Sequence, residues 1–214
     1  MKKDVSQVVV RRMPRYYRYL GQLLEDNVER ISSERLSEIM NVTASQIRQD
    51  FNNFGCFGQQ GYGYNVKFLR DEIGKVLGLD KTHNMIIIGS GNLGRALASH
   101  GAFHKQGFIV TAMFDIDKKL SGTKINDIEI RSMDELEGFI KKNRVDIAAI
   151  TVPAEVAQEL ADRLVSLGVK ALWNFAQLDL EVDSDVIVQN VLLSDSLMRL
   201  SLNMTRKRVL DDND

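Results

Sequence analysis

The chain has 214 residues, 44% hydrophobic and 27% charged, the composition of an ordinary globular protein with one large domain or two small ones. No apolar run approaches the ~20 residues that cross a bilayer. No signal-peptide stretch is present, and we expect a cytoplasmic protein without a membrane partner. The single cysteine, Cys56, excludes an intramolecular disulfide and a cysteine-based zinc site, and we expect no metal.

The net charge of −1 conceals an uneven distribution. Residues 1–80 carry 12 Lys and Arg against 10 Asp and Glu, whereas residues 81–214 carry 16 against 19. Arg11, Arg12, Arg15 and Arg18 fall within eight positions. An arginine cluster beside a helix is suited to phosphate groups, but a solvated helix face has the same pattern, so charge leaves both interpretations open.

Three helices are predicted before the first glycine-rich segment. The first begins near Pro14, a favourable residue in a first helical turn, and runs to about residue 27. The second spans about residues 34–40 and is capped by Ser32 or Ser33. After a three-residue turn, the third begins with Thr43 as its N-cap and Gln46 three places later, the spacing of a capping box.

The second and third helices, with the tight turn between them, form a helix-turn-helix signature. The third helix exposes Arg48, which can bond a guanine edge at two points, and glutamines that can bond an adenine edge. The glycine-rich residues 55–64 fit a β-hairpin wing. A plain three-helix bundle with polar surface positions is the alternative. The residues that we expect to contact DNA are Arg12, Arg15, Thr43, Ser45, Gln46, Arg48, Gln49, Gln59, Gln60 and Tyr62.

An amphipathic helix is predicted over residues 66–77, with Gly78 placed to end it. Residues 80–83 form a polar linker. Residues 85–88 (Met-Ile-Ile-Ile) then form a continuous apolar run, which is typical of a strand buried on both faces of a parallel sheet. We therefore predict a winged helix-turn-helix domain in residues 1–80, a Rossmann domain in residues 81–191, and a C-terminal helix with an acidic tail in residues 192–214.

The sequence from Gly89 to Gly94 (Gly-Ser-Gly-Asn-Leu-Gly) matches the G-x-G-x-x-G motif between this strand and a helix that we expect to run through Leu97, Ala98 and Phe103. The first glycine permits a tight turn, the second lets the backbone approach a pyrophosphate, and the third lets the helix pack close to the strand. Asp115 ends the next predicted strand, 26 residues after Gly89. A carboxylate there bonds ribose hydroxyls and repels a 2′-phosphate, which favours NAD(H) over NADP(H).

Later segments continue the alternation of strands and helices. Strands are predicted near 146–151, 170–174 and 186–188, and helices near 132–142, 154–167 and 194–205. This order predicts an α/β fold with a doubly wound parallel sheet. An α/β domain without a dinucleotide is the alternative.

A small NAD-dependent oxidoreductase is the alternative function. Such an enzyme needs an acid–base group near the nicotinamide. His100 is the one credible candidate, and a packing or surface role suits it better. No catalytic tyrosine–lysine pair is evident and almost no chain remains for a substrate domain. We therefore expect a ligand sensor and no enzyme.

Along almost its whole length the chain resembles the redox-sensing transcriptional repressor Rex family. The motifs that carry the resemblance are Arg12–Arg18 (Arg-Met-Pro-Arg-Tyr-Tyr-Arg), Ser32-Ser33, residues 44–48, Asp50-Phe51, residues 61–66, Gly89–Gly94, Phe114-Asp115, residues 151–154 and residues 174–176. The resemblance implies a homodimer whose C-terminal helices are swapped, each lying between the partner's two domains. It also implies repression at a near-palindromic operator, and release when NADH binds and the winged domains move.

The resemblance places residues 151–153 and residues 174–176 beside the nicotinamide. Both segments lie at carboxyl ends of predicted strands, where open α/β sheets bind ligands. The residues that we expect to hold NADH or NAD⁺ are Gly89, Ser90, Gly91, Asn92, Leu93, Gly94, Asp115, Ile116, Thr151, Val152, Pro153, Asn174, Phe175 and Ala176.

The chain departs from the family pattern at positions that the resemblance links to the redox switch. Arg18 is kept. His100 stands where many members have tyrosine. Leu192 stands where many have aspartate, and the loss of that aspartate removes an ionic partner of Arg18. Gln49 and the pair Gln59-Gln60 replace residues that are frequently basic. The sequence therefore predicts the nucleotide site more firmly than the switch, and lower DNA affinity or a variant operator.

Apolar residues are spread broadly over the last predicted helix, residues 195–208. A helix that lies on one surface has a narrower apolar stripe, so we expect this helix to be buried between two surfaces. Packing on its own Rossmann sheet is the alternative.

Overall fold

The computed structural model describes residues 7–53 and 62–211, and the surroundings of side chains in residues 8–53 and 62–206. The chain divides into two units, Met1–Lys81 and Thr82–Asp214. The described part of the first unit contains five helices and a short two-stranded sheet. These elements are α1 (Gln7–Val10), α2 (Met13–Glu25), β1 (Arg30–Ile31), α3 (Ser33–Met40), α4 (Ala44–Asn52), β2 (Tyr64–Asn65) and α5 (Val66–Val76).

Side-chain caps fix where the helices of the first unit begin. Each cap oxygen accepts a backbone N–H of the first turn, which would otherwise have no partner. The pairs are Ser32 with Arg35 (3.1 Å), Thr43 with Gln46 (3.2 Å) and Asn65 with Phe68 (2.8 Å). Asn41 adopts a left-handed conformation (φ 51°) that ends α3 and turns the chain into α4. The predicted helix–turn–helix is therefore present.

The core of the first unit comes from one face of each helix. The apolar residues recur three or four positions apart and so lie on the inward side. Those that are fully or almost fully buried are Met13, Tyr16, Leu20, Leu36, Met40, Ile47, Phe51, Val66, Leu69 and Ile73. Phe51 of α4 contacts the rings of Tyr16 and Tyr64 edge to face, each at 5.0 Å. These contacts hold α4 against α2 and β2.

The wing is described only in part. Tyr64 and Asn65 of β2 pair antiparallel with Ile31 and Arg30 of β1. The sequence analysis did not predict β1. Residues 54–61 lie outside the described residues. The predicted DNA contacts Gln59 and Gln60, and most of the predicted hairpin, fall there.

The second unit alternates strands and helices. Its strands are β3 (His83–Ile88), β4 (Phe108–Asp115), β5 (Lys124–Ile125), β6 (Ile128–Ser132), β7 (Ile147–Ile150), β8 (Ala171–Asn174) and β9 (Ile187–Asn190). Its helices are α6 (Asn92–Ala98), α7 (Gly101–Lys105), α8 (Leu136–Lys142), α9 (Ala154–Ser166) and α10 (Leu193–Asp211).

The strands form one sheet in the order β5-β6-β4-β3-β7-β8-β9, parallel except for β5 at its edge. The order reverses between β3 and β7, as in a doubly wound dinucleotide-binding sheet. Ile86 and Ile88 face α8 and α9, whereas Met85 and Ile87 face α6 and α7. The apolar run at residues 85–88 is therefore buried on both faces, as predicted.

One local prediction was wrong, and one hairpin was not predicted. The helix expected to run through Phe103 is broken, because Ser99 ends α6 and the extended residue His100 (ψ 91°) begins α7. The hairpin of β5 and β6 was missed, although Asn126 in its turn has the positive φ (53°) typical of asparagine in turns.

Candidate dinucleotide site and nucleic-acid interface

The glycine-rich segment Gly89–Gly94 leaves β3 at the point where the strand order reverses. The neighbouring strand β7 ends beside it, and Thr151 follows that strand. The Thr151 hydroxyl lies 2.9 Å from the Ile88 carbonyl oxygen and 3.0 Å from that of Gly89, so its proton can be donated to either. Carboxyl ends of strands at such a reversal form the ligand crevice of open α/β sheets.

Two glycines of this segment have no room for a side chain. Gly89 has φ +100°, and a Cβ there would lie 2.8 Å from the Thr151 carbonyl oxygen. A Cβ on Gly94 would lie 2.0 Å from the Gly89 carbonyl oxygen, so only glycine lets α6 start this close to β3. Gly91 differs, because no protein atom lies within 4 Å of a Cβ placed on it. The space beside Gly91 is open to a ligand.

Asp115 is held against the glycine-rich segment. Its Oδ2 accepts hydrogen bonds from the Ser90 backbone N–H (2.6 Å) and hydroxyl (2.5 Å), and its Oδ1 accepts from the Asp117 backbone N–H (2.9 Å). Partial burial alone would raise the pKa of Asp115, but the hydrogen bonds from Ser90, Asp117 and Ile116 outweigh it and lower the pKa. The carboxylate is therefore charged and oriented where we predicted a ribose-binding group.

Sequence reasoning missed Arg95, and it predicted Ser90 as a nucleotide contact without its role in positioning Asp115. The Arg95 Nε–H donates to the Ser90 carbonyl oxygen at 2.7 Å, which ties α6 back to the segment. Ser90 is 2% exposed and supplies both of its donors to Asp115, so it positions the carboxylate. Asn92 and Leu93 open α6. Ile116, next to Asp115, is 86% exposed and leaves an apolar surface beside the carboxylate.

The other predicted nicotinamide contacts follow the carboxyl ends of β7 and β8. Val152 and Pro153 lead into α9, with Pro153 as its N-cap. Asn174 is fully buried, and its amide bonds the Leu178 carbonyl oxygen (2.7 Å), Asn190 Oδ1 (3.0 Å) and the Ala176 N–H (3.0 Å). The Asn174 side chain thus holds the loop that carries the next two residues. A contact from its own side chain to the nucleotide stays a prediction.

In the first unit, α4 presents a polar groove of about 510 Å³. It is lined by Ser45, Arg48, Gln49, Asn52 and Asn53. Three of these were predicted DNA contacts, whereas the last two asparagines were missed because they lie beyond the recognition pattern. Arg48 is half exposed, and its Nη1 donates to Ser33 Oγ (2.8 Å) and Glu34 Oε1 (3.0 Å).

A fully buried carboxylate, Asp50, organises the inner side of α4. It accepts two hydrogen bonds from Arg12 (2.7 and 2.8 Å), one from the Tyr16 hydroxyl (2.9 Å) and one from the Gln46 amide (3.0 Å). Burial and the Asp50 charge raise the pKa of Tyr16, and the hydrogen bond from Arg12 to Asp50 raises the pKa of Arg12. Two predicted DNA contacts, Arg12 and Gln46, are thus engaged inside the domain, and their contact with DNA stays a prediction.

The remaining predicted positions lie on the surface or near it. Arg15 and Arg18 stack over the ring of Tyr19, at 5.6 and 5.4 Å. Tyr62 is exposed, with the Arg30 guanidinium 5.8 Å from its ring centre. Among the switch positions, His100 is exposed and contacts Phe103 edge to face at 4.5 Å, and half-buried Leu192 precedes α10.

The described residues contain no group of three or more His, Cys, Asp and Glu side chains arranged for a metal ion. None of the helices in residues 7–53 and 62–211 combines the length and apolar character that a membrane span requires.

Comparison with known proteins places the whole chain in one family. A family profile described as "Putative DNA-binding protein N-terminus" matches residues 4–52, and one described as "CoA binding domain" matches residues 80–178. The redox-sensing transcriptional repressor Rex of Thermoanaerobacter pseudethanolicus is 54% identical over 208 residues, which cover 97% of this chain and 93% of the relative. The chain belongs to the Rex family of redox-sensing transcriptional repressors. Rex of Clostridioides difficile is also 54% identical, over 94% of this chain and 96% of the relative.

Solved Rex structures share the fold of the whole chain. The Rex-family repressor RSP in complex with β-NAD⁺ and operator DNA superimposes with a TM-score of 0.90 at 53% identity, covering 99% of this chain and 97% of RSP. RSP in complex with β-NADH gives a TM-score of 0.89 at 50% identity and covers 100% of both chains. The Rex relatives are named as transcriptional repressors, and this decides against the oxidoreductase alternative.

Proposed function

We propose that this Rex-family protein binds duplex operator DNA through α4 as a homodimer, and releases it when NADH binds at Gly89–Gly94. The observation that carries the proposal is the full-length similarity to RSP, which has been solved with NAD⁺ and operator DNA and with NADH. This chain has a polar groove on α4 and a glycine-rich crevice at the strand reversal, which suit the same two ligands.

The proposed nucleotide site uses the pyrophosphate for affinity and the ribose for selectivity. Backbone N–H groups beside Gly91 have open space for the pyrophosphate. Asp115 would accept hydrogen bonds from ribose hydroxyls, and its charge would repel a 2′-phosphate. Its lowered pKa keeps that charge at neutral pH. NADH and NAD⁺ are therefore the proposed ligands, with NADPH much weaker.

The proposed DNA contacts centre on the α4 groove. Arg48 offers a guanidinium to base edges, and Ser45 and Gln49 offer shorter polar groups along the same groove. Arg15 and Arg18 add positive charge on α2, which suits phosphate contacts. Because a dimer with two-fold symmetry presents two recognition helices, the operator would be near-palindromic.

The homodimer is proposed from α10. Six large apolar side chains of this helix are at least half exposed, namely Leu193, Leu197, Met198, Leu200, Leu202 and Met204. Soluble chains rarely leave so many apolar groups uncovered on one element. At 100° per residue, Leu193, Leu197, Leu200 and Met204 form one stripe, and Met198 and Leu202 a second. Two stripes fit a helix swapped into a second copy, where it meets two surfaces.

The Rossmann sheet also has an apolar surface that a second copy could cover. A hollow of about 310 Å³ lies over β7, β8 and β9 on the face opposite α9. Its apolar lining includes Phe103, Phe108, Ile147, Trp173 and Ile187. Burial of such a surface favours association in proportion to the area removed from water. We include this hollow in the proposed dimer interface.

The proposed division of labour follows the two units. Residues 1–80 would bind DNA, residues 81–191 would bind NAD(H), and residues 192–214 would join two copies. Because operator DNA is the proposed target, we place the protein in the cytoplasm.

One experiment tests the proposal directly. Duplexes selected by the protein from a randomised pool are used in gel shifts at one fixed salt concentration, with NADH, NAD⁺ or no nucleotide. We expect binding without nucleotide or with NAD⁺, and release with NADH. Failure to select any duplex, or binding that is the same in all three conditions, would contradict the proposed function.

A further inference from the structure

The structure gives Arg48 two partners on α3 before any DNA is bound. Its Nη1 donates to Ser33 Oγ at 2.8 Å and to Glu34 Oε1 at 3.0 Å. Ser33 is 6% exposed, so its hydroxyl is a fixed anchor, and it also donates to Glu34 Oε1 at 3.3 Å. Ser33 and Glu34 form the first turn of α3, the helix that precedes α4. The three side chains form a closed set of hydrogen bonds.

Both contacts use the same nitrogen of the guanidinium. Within the described residues, neither Nε nor Nη2 of Arg48 takes part in a hydrogen bond. Those two donors lie on one edge of the guanidinium plane, which is an edge that can bond O6 and N7 of guanine together. The contacts to α3 therefore restrict the side chain without consuming the edge that a base would need.

A free arginine side chain samples many rotamers, and ordering it on binding carries an entropic cost. A side chain that is already ordered loses less when it meets its target, and it meets that target in one geometry. Base discrimination depends on that geometry, because a bidentate contact tolerates little misalignment. Contact with a phosphate, by contrast, depends mainly on charge.

We infer that Ser33 and Glu34 are positioning residues for base recognition: they hold Arg48 so that its Nε–Nη2 edge meets a guanine in the major groove. Neither residue needs to touch the DNA. Glu34 sets specificity through the orientation of Arg48. The inference rests on the proposed function, since it requires that α4 enters an operator.

A matched control exists on the same helix. Glu38 pairs with Arg35 at 2.7 Å, and both are well exposed (64% and 70%), as is Glu34 (68%). Glu34→Gln and Glu38→Gln remove the same charge one turn apart on α3, but only the first weakens a contact to Arg48. A carboxylate near DNA weakens binding to every sequence by repulsion. Glu38→Gln measures that general effect.

The test uses the full-length chain, the selected operator duplex and a scrambled duplex of equal length at one salt concentration. The readout is the ratio of the two affinities, with thermal melting as a check on folding. We expect Glu38→Gln to leave the ratio unchanged and Glu34→Gln to lower it about fivefold to tenfold. Single base-pair substitutions should show that the loss falls at guanine positions. Ser33→Ala should lower the ratio in the same direction.

A double-mutant cycle separates positioning from mere stability. In an Arg48→Ala background, Glu34→Gln should cause no further loss of the ratio, because no guanidinium remains to be oriented. The inference is overturned if Glu34→Gln and Glu38→Gln have equal ratios, or if the loss persists in the Arg48→Ala background. If the unmodified protein binds the selected and the scrambled duplex equally well, the proposed function fails and the inference fails with it.

Discussion

The Oδ2 atom of Asp115 lies 2.5 Å from the hydroxyl oxygen of Ser90, across 25 residues of sequence. The pair joins the end of β4 to the loop that follows β3. It means that the carboxylate proposed to select the ribose is fixed by the loop proposed to hold the pyrophosphate. Selectivity and affinity for the nucleotide should therefore be coupled through Ser90.

The first prediction concerns Asp115→Asn. This change keeps the size of the side chain but removes the charge, so it should weaken NADH binding by about tenfold or more, the loss of ~1.5–3 kcal/mol for a hydrogen bond to a charged group. NADPH, which no longer meets a repelling carboxylate, should gain relative to NADH. Isothermal titration with both nucleotides measures the two affinities.

Asp117→Asn is the matched control, because that carboxylate accepts only the Lys119 backbone N–H among the described contacts. We expect it to leave the preference for NADH intact. Equal NADH and NADPH affinities in the unmodified protein would contradict the role given to Asp115.

The second prediction is the pH dependence of stability. Because the folded-state pKa of Asp115 is lowered, its hydrogen bonds stabilise the fold above the unfolded pKa of about 3.9. That stabilisation is lost as pH falls through the folded pKa. The difference in melting temperature between the unmodified protein and Asp115→Asn should therefore shrink between about pH 5 and pH 3. A difference in melting temperature that stays constant over that pH range would contradict the assignment.

The third prediction contrasts two glycines. Gly94→Ala places a Cβ 2.0 Å from the Gly89 carbonyl oxygen, so the free energy of unfolding should fall by ~2 kcal/mol or more. Gly91→Ala meets no protein atom within 4 Å and has an ordinary extended backbone (φ −67°). It should fold normally and lose NADH binding, because its Cβ occupies the space proposed for the pyrophosphate.

Thermal melting and titration with NADH separate these outcomes. A Gly91→Ala variant that is folded and binds NADH with unchanged affinity would place the pyrophosphate elsewhere.

The nucleotide segment could be predicted from the sequence because its signal is local. A buried strand, three glycines and a helix start follow one another directly, and Asp115 ends the next strand. The hydrogen bond between Ser90 and Asp115 could not be predicted in the same way, because it depends on how β4 pairs with β3. Serine at that position gives no signal until the sheet is assembled.

The first unit shows the same limit. The cluster Arg11, Arg12, Arg15 and Arg18 predicted a basic surface, and the spacing of the helices predicted α3 and α4. The sequence gives no sign that Arg12 meets Asp50, 38 residues away, because the pairing depends on the packing of α2 against α4. An arginine count treats a buried ion-pair partner and a free surface cation alike.

The fourth prediction follows from that pair. Asp50→Ala leaves the Arg12 guanidinium, which is 23% exposed, without its carboxylate and the Tyr16 hydroxyl without its acceptor. Removing one partner of a buried ion pair costs about 3–5 kcal/mol. The free energy of unfolding measured with urea should fall by about that amount. Glu38→Ala, which breaks an exposed pair, should change it by less than ~1 kcal/mol.

The last prediction concerns the apolar stripe of α10. Leu197 is 67% and Leu200 is 55% exposed in one copy of the chain, so charging both should not disturb the fold of that copy. In the proposed dimer, burial of each of these side chains contributes ~1.5–3 kcal/mol to association. The Leu197→Glu, Leu200→Glu variant should therefore sediment as a monomer at micromolar concentration and lose operator binding.

Asn203→Glu adds a charge in the polar sector of the same helix, about 90° from that stripe, and we expect that variant to remain dimeric. Truncation after Asn190 removes the helix altogether and should likewise abolish the dimer and DNA binding, with any remaining NADH binding weakened. If the doubly charged variant is dimeric and binds its operator normally, α10 does not join the two copies. The hollow over β7, β8 and β9 would then be the surface to test. Ile187→Glu tests it, because Ile187 lines the hollow and is 71% exposed in one copy.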